Sequence, residues 1–350
     1  MQIKVTENFK ILSHSNDKSF LLFNSNWIVK IHPGLLKFSN IKNNETFEIS
    51  INFEGPCQNF TIENDIKNEK IKVFFNLEKF YFSYFIKKIE GKIYLLVERS
   101  TVNNLEIDFQ KKYKAEKNLQ ILLPIDVFEN QNFKEILHFG VHKEPILENI
   151  LIRKNIFEIL PFIYLNSQAF KEEELDLSSR YLGQIADKFL NKKGNISDLE
   201  NIYKAFFYDL LIPRVKDLEY QNILPSEEEF FRKTPFFILK KYFSIIRNLF
   251  FIENELEIYI LPNLLKCFAF GRFINIISRY GTFHIQWSKK VIFKLIFIPN
   301  KDISLKIKFQ KNIKKYRLKD SKKSKGKIFE NQEEILFLKS KIYFFDKFFN

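Results

Sequence analysis

Between residues 256 and 287 the chain reads Leu256-Glu257-Ile258-Tyr259-Ile260-Leu261-Pro262, then Gly271-Arg272, then Tyr280-Gly281-Thr282-Phe283-His284-Ile285-Gln286-Trp287. Apolar and polar residues alternate between breaks made by Pro and Gly, which is the punctuation of short β-strands. The same texture fills residues 1–125. There Ser19 to Ile31, Glu45 to Phe53, Lys70 to Leu77, Phe80 to Ile89 and Lys92 to Glu98 are rich in β-branched and aromatic residues. Ser39-Asn40, Gly55-Pro56 and Glu90-Gly91 are the turn signals between them, and Ile89-Glu90-Gly91-Lys92 predicts a tight hairpin. Leu119 to Ile125 adds one more apolar strand. Several short strands at close spacing predict a sandwich.

From about 126 to 252 the periodicity becomes helical. Pro145 suits a first helical turn, and Asn155 with Glu158 resembles a capping pair, followed by Pro161, which is expected to kink or shorten its helix. Leu182, Ile185, Ala186, Phe189 and Leu190 share one helical face, with Gly194 as a stop. Ser197-Asp198-Leu199-Glu200 reads as a capping box for the stripe that runs from Leu199 to Leu211 and ends at Pro213. Thr234-Pro235 opens an aromatic helix from Phe236 to Phe251. Lys240, Lys241 and Arg247 interrupt it, so it is poorly suited to span a bilayer.

Strands return at Leu256 to Leu261, Phe283 to Trp287, Val291 to Ile298, Ile303 to Phe309, Ile335 to Leu338 and Ile342 to Phe345. A basic loop is expected at Lys319 to Lys327. The predicted fold is therefore α+β: an N-terminal β-sandwich (1–125), a short helical middle region (126–252) and a C-terminal β-sandwich (253–350).

At 350 residues the chain can bury a large core, and 45% hydrophobic against 28% charged residues is a globular profile, not a disordered one. The 42 Phe stand against 9 Gly, and the net charge is +14. Such a balance is compatible with an anionic partner. Lys, Asn, Ile and Phe also share AT-rich codons, so genome composition alone accounts for the excess of lysine. Cys57 and Cys267 match no metal or redox spacing, which fits a reducing compartment. The first residues lack the layout of a signal peptide, and a cytoplasmic location is expected.

Residues 256–309 resemble the closing β-domain of glycoside hydrolases with an (α/α)6 barrel, the inverting α-fucosidase type being nearest. In that family a strand ends in two aliphatic residues before Pro, a Gly-containing turn follows, then Gly-Gly-aromatic and a strand ending in Trp. Ile260, Leu261 and Pro262 match the first signal, Gly271 the turn, and Gly281, Phe283 and Trp287 the last. Tyr280 replaces the first Gly, and Leu265 stands where a second Pro would be. The resemblance implies a carbohydrate-linked ancestry with two β-domains about a helical centre. A ring of twelve helices needs about 200 residues or more, and the helical centre here is little over half that. The family's catalytic carboxylates lie in the barrel, so no catalytic residue is assigned. The expectation is a reduced or non-catalytic relative. A structural or protein-interaction module, or a nucleic-acid binder acting through its basic surface, is the alternative.

Inverting hydrolysis needs two carboxyl groups roughly 6.5 to 9.5 Å apart. Candidates at the β-to-α junction are Asp126, Glu129, Glu135, Glu144 and Glu148, each of which also reads as a solvated surface acid. His138 and His142 are four apart, as on a zinc-binding helix face, but Gly140 between them favours a turn and no metal site is assigned. His138, His142, Lys143, Glu144 and Arg153 crowd polar and anion-binding groups into the junction, and a carbohydrate or sugar phosphate is the ligand expected there. No cofactor is expected. Trp27 and Trp287 are either sugar-stacking platforms or half-buried core. The segments Lys311 to Lys319 and Lys322 to Lys327, with Tyr316 inside the first, either track phosphates or form a solvated loop.

Overall fold

The computed structural model describes residues 3, 9–102, 105–128, 135–140, 145–153, 156–168, 181–208, 211–214 and 237–349. Two six-stranded antiparallel sheets form the N-terminal sandwich. The first runs β1 (Lys10–Ser13), β6 (Cys57–Asp65), β7 (Lys70–Leu77), β8 (Phe80–Ile89), β9 (Lys92–Ser100) and β12 (Gln120–Leu122). The second runs β11 (Lys111–Lys114), β10 (Glu106–Phe109), β5 (Thr46–Asn52), β4 (Leu35–Asn40), β3 (Trp27–His32) and β2 (Lys18–Leu21). Strict alternation in β7 sends Ile71, Val73, Phe75 and Leu77 inward. They meet Val29, Ile31, Leu36 and Phe38 of the facing sheet in one apolar core. The predicted hairpin is present: Ile89 pairs with Lys92, and Glu90 (φ 48°) and Gly91 (φ 77°) both take the positive φ of a type I′ turn.

The second body combines helices with two more sheets. A seven-stranded sheet runs β13 (Ile136–His138), β18 (Gly271–Ser278), β19 (Gly281–Ser288), β20 (Val291–Pro299), β25 (Tyr343–Phe349), β22 (Lys315–Lys319) and β23 (Lys327–Glu330). A four-stranded sheet runs β16 (Phe251–Asn254), β17 (Glu257–Ile260), β21 (Ile303–Lys308) and β24 (Glu334–Phe337), with β17 and β21 parallel. Among the described residues the helices are α1 (Leu147–Arg153), α2 (Ile156–Ser167), α3 (Tyr181–Leu190), α4 (Ile196–Phe206) and α5 (Phe237–Phe250); a two-stranded ribbon, β14 (Phe207–Tyr208) with β15 (Ile212–Pro213), follows α4. Both α2 and α3 pack on α5. Helices and both C-terminal sheets share one apolar core, which also takes in Phe9, Ile11 and Ile66 of the N-terminal part. The expected α+β order, with a short helical middle between two β-rich parts, is the one observed.

Several local expectations need correction. Gly271 begins a strand instead of making a turn; glycine is needed there for close approach, since a Cβ would lie 2.2 Å from the Trp287 ring and 2.8 Å from the His138 carbonyl oxygen. Ser39-Asn40 ends a strand; the basic loop expected at Lys319 to Lys327 does lie between β22 and β23, but Lys315 to Lys319 of the preceding basic segment is strand and not loop. Pro161 does not shorten α2, which runs on to Ser167. The capping box sits two residues earlier than read: the Asn195 side chain accepts from the Asp198 amide, and the Asp198 carboxylate accepts from the Asn195 amide. Lys192 (φ 60°), not Gly194, takes the left-handed position after α3, where its amide and that of Lys193 bond back to Phe189 and Lys188. Gly194 is needed for a different reason: a Cβ there would lie 2.3 Å from the Phe189 ring. Asn155 and Thr234-Pro235 lie outside the described residues.

Candidate functional site

The junction between the two bodies is closed by specific bonds. The Leu12 amide donates to the Pro145 carbonyl at 2.9 Å, and Phe9 meets Phe162 edge-on at 6.0 Å. Glu148, in the first turn of α1, accepts from the Ser13 hydroxyl at 2.5 Å and from the Ser15 amide at 3.3 Å. Burial pushes the Glu148 carboxyl up, but these hydrogen bonds outweigh it and leave the group below its ordinary value.

Glu135 lies deeper, with only 5% of its side chain exposed. Its carboxylate accepts from the Tyr164 hydroxyl of α2, from Arg247 Nε of α5 at 3.3 Å and from the Ile277 amide of β18 at 2.9 Å. Gln168 closes the far side, accepting from the Glu135 amide and donating to its carbonyl. Burial and the neighbouring Glu135 charge raise the Tyr164 hydroxyl well above its usual range; Arg247, which burial pulls down, is held up by the same carboxylate. The cluster therefore holds a charged pair with a neutral phenol, and it ties α2, α5 and β18 together.

Of the remaining junction candidates, those among the described residues do not join these two acids. Asp126 is exposed. Arg153 is exposed on α1 and makes a two-pronged ion pair with Glu158, at 2.9 and 2.6 Å. His138 is buried on β13, where its Nδ1 accepts from the Gly140 amide at 3.0 Å. Gly140 has φ 73°, so the backbone at that residue is not helical. Glu129, His142, Lys143 and Glu144 lie outside the described residues. Among the described residues no group of three His, Cys, Asp or Glu is placed to hold a metal ion, and no helix is long and apolar enough to cross a membrane. Trp27 and Trp287 are both core residues, and Trp287 stacks on Phe250 at 5.2 Å while donating to the Phe268 carbonyl.

A second place, unforeseen from the sequence, has the shape of a binding site. It is a pocket of about 680 Å³ on the seven-stranded sheet, over β20, β25 and β22. Two irregular registers shape it. Trp287 pairs with Ile292 and Gln286 with Lys294, so Phe293 is an extra residue in β20. Lys315 pairs with Phe349 and Arg317 with Asp346, so Lys347 and Phe348 face Tyr316 alone. Such bulges bend a strand and re-aim its side chains. Phe293 is consequently 58% exposed, although core residues Ile292 and Leu295 stand on either side of its segment. The one signal in the sequence is a lone lysine, Lys294, inside the otherwise apolar run Val291 to Ile298.

No protein-family model matches the chain, and no curated protein matches it significantly.

Proposed function

We propose that the protein is a carbohydrate-linked binding protein, built on the plan of a glycoside hydrolase but without a hydrolytic centre. The observation that carries this reading is the use made of Glu135 and Glu148. A hydrolytic acid and base must face a scissile bond across open space. Glu135 instead spends its oxygens on Tyr164, Arg247 and Ile277, and Glu148 is held by Ser13 and Ser15. The carbohydrate link rests on the resemblance of residues 256–309 and on the order of β-rich and helical parts.

The test has two arms. Aryl glycosides, α-fucosides included, are incubated with the protein and with its Glu135→Gln and Glu148→Gln variants, and a glycan array is probed with the unmodified protein. Binding to a defined set of glycans with no turnover supports the reading. Turnover abolished by either variant makes the protein a hydrolase, and silence on the array transfers it to the class of protein-interaction modules.

A further inference from the structure

We propose that the pocket between the bulges of β20 and β25 binds a small amphipathic anion, with its acidic group against Lys294 and its apolar body between Phe293, Phe344 and Phe348. This goes beyond the carbohydrate reading and does not depend on it.

The charge balance points to an anion. Asp346 is the one acid among the residues lining the pocket, and its carboxylate is already shared by Arg317 at 2.7 Å and Lys319 at 3.3 Å. Lys294, Lys322 and Lys347 have no acidic partner among the described residues. Lys294 is the informative one. Leu295 and Phe345 pair across β20 and β25 and point into the core, so Lys294 and Phe344 stand on the opposite face of the sheet. Lys294 is 6% exposed as a residue, and even partial withdrawal of its ammonium from water without a counter-charge carries a cost. Burial and the nearby Lys322 lower its affinity for a proton. A bound anion would offset both penalties at once.

The aromatic side chains point to an apolar body. Phe293 and Phe348 are brought to the pocket by the two bulges, and Phe344 lies beside them. At about 680 Å³ the space matches those that enclose single small ligands. That size, and the concentration of cations at one spot, favour a small molecule over a polymer tracked along a groove.

Isothermal titration of the full chain tests the assignment with 1-naphthyl phosphate, 2-naphthoate and decanoate, which separate phosphate from carboxylate headgroups and aromatic from acyl bodies. At least one is expected to bind at least tenfold more tightly than both 1-naphthol and inorganic phosphate, which carry only half of the recognition each. Lys294→Met should weaken that ligand tenfold or more, as loss of a charge-assisted contact does, and leave 1-naphthol unchanged. Lys322→Gln, at an exposed site, should weaken it several-fold without disturbing the fold. The proposal is overturned if none of the three binds below millimolar concentration, or if both variants bind as the parent does. It is also overturned if an oligothymidylate binds more tightly than all three and loses affinity with Lys294→Met, which would make the surface a nucleic-acid site.

Discussion

Replacing Glu135 by Ala removes the carboxylate on which three elements converge. Arg247, only 17% exposed, would lose its counter-charge, while the Tyr164 hydroxyl and the Ile277 amide would each lose an acceptor. Deleting one member of a buried ion pair costs about 3 to 5 kcal/mol, mostly from the charge left behind. The two orphaned donors place the expected loss at the upper end of that range, about 4 to 5 kcal/mol. The double variant Glu135→Leu/Arg247→Met tests the cause. With both charges gone the main penalty disappears, and about 2 kcal/mol or more should be regained over Glu135→Ala, leaving the cost of the unpaired phenol and amide. Urea unfolding followed by far-ultraviolet circular dichroism gives both numbers, provided the slope with denaturant is unchanged. A loss below about 1 kcal/mol for Glu135→Ala would refute the reasoning, because a carboxylate so dispensable is not tied into the fold. It would then be free for chemistry, and the non-catalytic reading would fall with it.

Two further outcomes follow from the same geometry. In Gly281→Ala the new Cβ would lie 2.1 Å from the Ile298 carbonyl oxygen, at a residue with φ 143°; backbone on both sides must shift, and a loss of about 2 to 3 kcal/mol is expected in thermal or urea unfolding. Glu148 titrates below its ordinary 4.5 in the folded protein, so its contribution is present above that pH and is lost as the pH falls through the folded value; Ser13→Ala should flatten the acid limb of a stability profile measured between pH 2 and 6.

What could be read from the sequence was local. The limits of β7 and β8 and the hairpin after β8 follow from alternation and from a Glu-Gly pair, both carried by a few adjacent residues. The amphipathic helix α5 announced itself in the same way. Strands β6, β22 and β23 were hidden because Asn, Glu and Lys on their exposed faces look like loop residues when the facing strand is unknown. The site was harder still. Glu135 carries no signature in its neighbours, since its partners come from α2, α5 and β18. The exposure of Phe293 depends on a mismatch between two strands, and a mismatch is a property of the pair and of neither strand alone.

The edge strand β13 has a consequence for the nascent chain. Ile136–His138 emerges from the ribosome before the helices, yet its sheet partner β18 follows them. The N-terminal sandwich is complete by β12 and has a core of its own, so it can fold early. Until β18 arrives, Leu137, a core residue, and Glu135, the anchor of the charge cluster, are without their final neighbours. Long-range closure of this kind slows folding. The seven-stranded sheet thus cannot close on β13 until β18 has been made, and a chain stalled before β18 would present an unpaired apolar edge to any chaperone within reach.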